Sequence, residues 1–211
     1  MSETRRRVFL LGGAAALLPC LSIGRASAAE QLHIGAARGS IDFAIGDSKI
    51  FRTTGSFKEW QGLVLVDDAD VARSTVQVNV NTNSIQMMDT QQSEMLKDAD
   101  FFDVAKFPTL TFKSKRVAKA KEKGHLSLVG DLTIHGVTKE VTFDVTQPAP
   151  ETKSPWGTVV TAVEAKTKIN RKDFGLVWNK TLDGGGVLVS DEVNIDVNAE
   201  LTKKAPLKAE R

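Results

Sequence analysis

The chain has 211 residues, 41% of them hydrophobic and 26% charged, with 28 Lys and Arg against 26 Asp and Glu. That length suits one domain with a sizeable core, and so mild a charge balance leaves no electrostatic footprint for nucleic acid. A single cysteine, Cys20, excludes an internal disulfide and a cysteine-ligated metal site.

The first 28 residues read as a cleavable export signal. Arg5, Arg6 and Arg7 are followed by an apolar run from Val8 to Leu18 and by the small-residue site Ala26-Ser27-Ala28. The run is too short to span a bilayer, no later run is longer, and a soluble mature chain starting at Ala29 is expected. Arg6-Arg7-Val8-Phe9-Leu10 resembles the twin-arginine export pattern, with Arg5 where Ser or Thr is usual. Pro19 before Cys20 does not match a lipid-anchor site. Loss of the signal takes four arginines and Glu3 with it, leaving 183 residues with 24 basic and 25 acidic side chains. The periplasm is the expected location.

Alternation of apolar and polar residues dominates the rest, and that is the period of a half-buried strand. It appears in Ile41–Ile45, Val76–Asn81, Leu110–Lys113, Leu126–Leu128, Leu132–Ile134, Val141–Val145 and Val193–Leu201. With the segments Phe57–Val66 and Val159–Ile169, eight or nine strands are expected. His135-Gly136 predicts a two-residue hairpin turn, and Lys119–Gly124 a polar turn, so neighbouring strands run antiparallel. From Ser84 to Ala99 the apolar spacing turns helical, and Asp89 followed by Gln92 resembles a capping box. A helix over Thr90–Lys97 is predicted. Pro148–Pro155 and Gly184-Gly185-Gly186 are expected loops, and 203–211 a charged tail. The fold class is therefore all-β, a sandwich or a barrel of about eight strands, with one short helix.

Four segments carry a family resemblance. They are Asp100–Pro108 continuing to Ser114, Gly130–Thr138, Ile169–Asn179 and Gly186–Val193. Their order and spacing resemble the YceI-like family of bacterial polyisoprenoid-binding proteins, over Leu32 to Leu201. The resemblance implies a lipocalin-like antiparallel β-barrel, a helix near one end, an apolar cavity for an isoprenoid chain, and a periplasmic location. Histidines frequent in that family are replaced by Arg38 or Gly39, Asp47 and Met95, and an Arg-Asp pair by Gln92 and Ser93. These departures point to a different head group or a more apolar ligand.

Candidate ligand contacts follow from inward parity: Phe43, Ile45, Phe112, Leu128, Leu132, Ile134, Phe143, Val163, Ile169 and Ile195, with Val193 on the same face. Each could equally pack a filled core, because tunnel and core demand the same chemistry. Met88, Met95, Leu96, Phe101 and Phe102 predict an adaptable apolar lid or a plug. Arg171, with Asn170 and Asp173, fixes a turn or meets a phosphate at the barrel mouth, and Trp178 belongs to the same motif. His33, His125 and His135 lack ligand spacing, so no metal is expected. Lys113, Lys115, Arg116, Lys119, Lys121 and Lys123 form a solvated basic run or a transient contact for anionic membrane surfaces. No nucleophile elbow, Walker loop or cysteine nucleophile is present, so no catalytic residue is assigned.

The expected function is a periplasmic carrier holding an isoprenoid lipid, of quinone or polyprenyl-phosphate type, with no cofactor beyond that lipid. Two rivals stand beside it: an enzyme acting on such a lipid, and an envelope stress or structural protein acting through a partner. Oligomeric state is left open, a homodimer included.

Overall fold

The computed structural model describes residues 29–46, 53–67, 69–148, 150–153, 159–180 and 189–203. The export signal, Asp47, Gly184–Gly186, Pro155 and the tail beyond Lys203 lie outside the described residues.

Six of the twelve strands are halves of longer ones. β1 (Glu30–Gly35) and β2 (Gly39–Ile45) are separated by a 3-10 turn at Ala36–Arg38, and β3 (Thr53–Phe57) and β4 (Trp60–Val66) by Lys58 and Glu59. β5 (Thr75–Asn81) and β6 (Ile85–Met87) are separated by a second 3-10 turn at Thr82–Ser84. β1 pairs with β4 and β2 with β3, while β4 pairs with β5 and β3 with β6, so each pair behaves as one kinked stave. Side chains hold the third kink. Asn81 accepts from Asn83 N–H and donates to Glu59, while the Ser84 hydroxyl accepts from Glu59 N–H at 2.9 Å.

The other staves are β7 (Thr109–Lys119), β8 (His125–Ile134), β9 (Val137–Thr146), β11 (Val159–Asn170) and β12 (Glu192–Lys203). β12 closes the ring. It pairs with β11 from Val160↔Thr202 to Asn170↔Glu192, and on its other edge with β2 and the start of β1. The result is a closed antiparallel barrel of eight staves; alternation left sandwich and barrel open, and the family resemblance implied the barrel. A two-residue strand, β10 (Thr152–Lys153), pairs with β11 within the expected Pro148–Pro155 loop.

The predicted turn at His135-Gly136 joins β8 to β9 through Ile134↔Val137. Both residues have positive φ, 51° and 73°, the type I′ geometry whose twist matches the flanking strands. The predicted helix α1 spans Thr90–Lys97, and the Asp89 carboxylate accepts from Gln91 N–H at 2.7 Å. Gln92, which a capping box would turn back onto Asp89, stands at a cavity wall instead. The Ser93 hydroxyl accepts from Met87 N–H and donates to the Asp89 carbonyl, which clamps α1 onto β6.

Three expectations about strand limits are corrected. The runs at Leu126 and Leu132 are one strand, β8, because Gly130 carries it past a bulge in β7 between Ser114 and Arg116. Phe57–Val66 is broken at Lys58 and Glu59, and β1 precedes the first strand expected. Gly130 has no room for a side chain: a Cβ there would stand 2.5 Å from the Lys113 carbonyl oxygen and 2.6 Å from the Phe112 ring. Gly130→Ala is therefore expected to destabilise the fold by ~1–3 kcal/mol, as overpacking does. Thermal and urea unfolding of the variant against wild type measures this.

Candidate functional site

The barrel is solid at one end and hollow at the other. At the end where β1 begins and β12 finishes, Leu32, Val64 and Leu201 fill the interior, with Val76 and Val163 against them. Toward the opposite end lies a cavity of about 660 Å³. That falls inside the roughly 300–1,000 Å³ of small-molecule sites. Its floor is aromatic. Phe112 and Phe143 meet edge-to-face at 5.2 Å, and Trp60 lies beside them in the wall. Its open end is bounded by Gly46, α1, the segment after it, and the 3-10 turn Arg171–Phe174.

Of the residues singled out by sequence, Phe43, Ile45, Phe112, Leu132, Ile134, Phe143, Ile169 and Ile195 stand in the cavity wall. So do Met95, Leu96, Phe101, Phe102 and Trp178. Phe102 packs edge-on against Phe57 at 6.0 Å, and Phe57 against Phe43 at 5.8 Å. Phe101 and Trp178 stack at 4.8 Å across the open end.

Three candidates are corrected. Met88 is 97% exposed on the outside, and Met87 takes the wall position. The β6 alternation places Ile85 and Met87 inward, so the residue after them points out before the helix begins. Leu128 is buried in the core but outside the cavity wall. Val163 is opposite Ala199, beyond Val197, the last wall residue on β12, and it packs into the solid end. Ile41, Phe57, Trp60, Val78, Leu110 and Val189 are wall residues that the sequence reading did not single out as candidate contacts.

Arg171 touches the cavity, but its guanidinium is committed elsewhere. It is 7% exposed. Nε donates to the Ser190 carbonyl at 2.9 Å. One terminal nitrogen donates to the carbonyls of Leu176 and Trp178. The other donates to the Val189 carbonyl and to Asp191 at 3.1 Å. All five N–H groups are spent on two loops. The expectation that Arg171 meets a phosphate is corrected; the turn-fixing reading describes it.

The remaining polar wall residues are Thr53, Gln92 and Ser190. Two enclosed polar atoms, Trp60 Nε1 and Thr82 Oγ1, lack a hydrogen-bond partner among the described residues. The fold also gathers Glu122, His125 and Asp144, whose ligand atoms lie within 4.8 Å of one another. His125 Nδ1 is 2.8 Å from Asp144, whose carboxylate raises the histidine pKa above its ordinary value. This cluster straddles the solid end, and diagonal pairing across β8 and β9, invisible to sequence spacing, creates it. Within the basic run, Lys115 is ion-paired with Asp131 and Glu140, and Lys119–Lys123 form the turn at the solid end. No helix among the described residues is long and apolar enough to cross a membrane.

An eight-stave ring with a helix at its open end and one apolar chamber defines a lipocalin-like β-barrel. The model of the YceI-like domain matches residues 32–201, and the chain belongs to the YceI-like family. A UPF0312 protein of Staphylococcus aureus is 31% identical over 166 residues, covering 79% of this chain and 94% of its own. Among solved structures, Burkholderia cenocepacia BcnA superimposes with a TM-score of 0.67 at 24% identity, over 78% of this chain and 97% of BcnA. A polyisoprenoid binding domain from Saccharophagus degradans gives 0.57 at 14% identity, over 83% and 99%. These two likenesses are of fold.

Because one fork of donors joins two loops, Arg171→Met is expected to cost ~3–5 kcal/mol, as removing one member of a buried charged network does. Arg171→Lys should recover little, since an ammonium cannot reproduce the planar fork. Urea unfolding of both variants tests the assignment.

Proposed function

We propose that this protein is an exported carrier that holds an isoprenoid lipid in the hollow half of its barrel. The observation that carries the reading is the apolar cavity, walled below its open end by aliphatic and aromatic side chains among the described residues. Family membership supports the ligand class, and so does the polyisoprenoid binding described for the Saccharophagus degradans domain. Burial of an apolar chain supplies the affinity, on the order of 25 cal/mol per Å² before the costs of association.

The wall favours an uncharged head group. Among the described residues its one ionisable side chain is Arg171, and Arg171 is spent. A buried phosphate needs a charged partner, so a quinone-type or other neutral lipid fits better than a prenyl phosphate. The same wall supports holding over converting, because a general acid or base must reach its substrate. A cavity of this size also fits poorly with a purely structural barrel, which gains stability by filling.

Native mass spectrometry and solvent extraction of the mature protein, purified from its own envelope, should show one bound neutral isoprenoid per chain. An empty protein that also refuses added isoprenoids would sink the reading. Ile195→Trp should block the cavity and abolish the lipid while the barrel stays folded.

Export through the first 28 residues is part of the proposal. With Arg6 and Arg7 changed to Lys, the precursor should accumulate inside the cell if the twin-arginine route carries it. Unchanged export in a fractionation assay would assign the ordinary secretory route.

A further inference from the structure

The cavity is closed at one end and polar only at the other. Those two properties set the orientation and the length of what it takes. Among the described residues, its polar side chains other than the committed Arg171 belong to the open end. Thr53 begins β3, Gln92 is an exposed residue of α1, and Ser190 precedes β12. Below them the described wall is apolar, and Trp60 presents its ring while its N–H is enclosed by protein.

The depth can be read along the segment that leads into β12, where the wall runs from Ser190 through Val193 and Ile195 to Val197. At about 3.3 Å per residue, and with the roughly 35–45° strand tilt of closed barrels, this gives a chamber roughly 16–19 Å deep. An extended isoprene unit advances by four carbon–carbon bonds, about 4–5 Å. Beneath the floor the barrel is packed by Leu32, Val64 and Leu201 and offers no further room.

Resting on the isoprenoid reading above, we infer that the cavity is a molecular ruler. It takes a prenyl chain tail-first, accommodates three to four isoprene units, and leaves the polar end beside Thr53 and Gln92. Longer chains bind by their last units only, and the remainder stays outside the barrel.

The test is a series of all-trans prenyl alcohols of two, three, four and eight units, bound to the delipidated mature protein in competition with a fluorescent prenyl probe. Affinity should tighten at least tenfold per unit up to the third or fourth, in line with the burial of each added group. It should then be flat to eight. Val197→Phe raises the floor and should move the break to a shorter chain, and Ile41→Phe, its cross-strand neighbour, serves if that variant fails to fold. Gln92→Leu should weaken the alcohols several-fold and leave the matching hydrocarbons unchanged.

Affinity that climbs from four units to eight, or a break unmoved in a folded floor variant, overturns the ruler. Equal effects of Gln92→Leu on alcohol and hydrocarbon overturn the orientation. Failure of every prenyl compound to bind overturns the isoprenoid reading itself, which separates the two outcomes.

Discussion

Everything in this molecule depends on the closure of β12 onto β11. One edge of β12 is satisfied along its length by β11, and the other is shared between β2 and the start of β1. Closure of this kind satisfies both edges of β12 and surrounds the apolar interior with backbone pairing everywhere but at the open end and along the thinly paired β9–β11 seam. The inward residues of β12 also trace both halves of that interior. Val193, Ile195 and Val197 line the cavity, whereas Ala199 and Leu201 are buried below it.

The kinks explain why one half is hollow. Past each break, β2, β3 and β6 continue as a flap, and β6 ends the sheet without pairing to β7. The gap there is bordered by α1 and by Phe101 and Phe102 rather than closed by backbone pairing. At the other end β1 pairs with β4 and β12, and β4 with β5, and aliphatic side chains fill the interior. A void that protein side chains do not fill costs dispersion energy along its whole lining. An apolar ligand recovers that energy on binding. Arg171 ties the two described segments at the open end together through the carbonyls of Leu176, Trp178, Val189 and Ser190.

Strand count, helix limits and the His135-Gly136 turn were legible because they rest on local rules. Depth was not. Alternation separates inside from outside, but it does not tell how far along the barrel axis a residue lies. Leu128 and Val163 have the right parity and the wrong height. Each kink also resets the parity. Leu32 and Trp60 face inward from even positions, Phe43 and Phe57 from odd ones, and Val80 gives way to Ile85 and Met87 across Thr82–Ser84. The parity change between Phe57 and Trp60 hides both from a reading by alternation. The signal that could have found them is the polar pair Lys58 and Glu59, which breaks an otherwise apolar stretch. Helical spacing taken from Ile85 misplaces Met88, because the helix begins only at Thr90, five residues later.

The two ends of the barrel also differ in chemistry, and this bears on how cargo would be exchanged. Lys119, Lys121 and Lys123 lie around the turn at the solid end, where β7 passes into β8. Met95 and Val177 are exposed at the other end, on α1 and next to Trp178. A protein drawn to an anionic surface by the basic turn would present its closed end and turn the cavity away. Transfer of an apolar chain from a bilayer requires the reverse orientation, with the open end toward the membrane and little exposure of the chain to water. Exposed Met95 and Val177, beside the polar Thr53 and Gln92, give the described part of the open end apolar groups that suit that orientation, and the lysines of the solid end read as a solvated face.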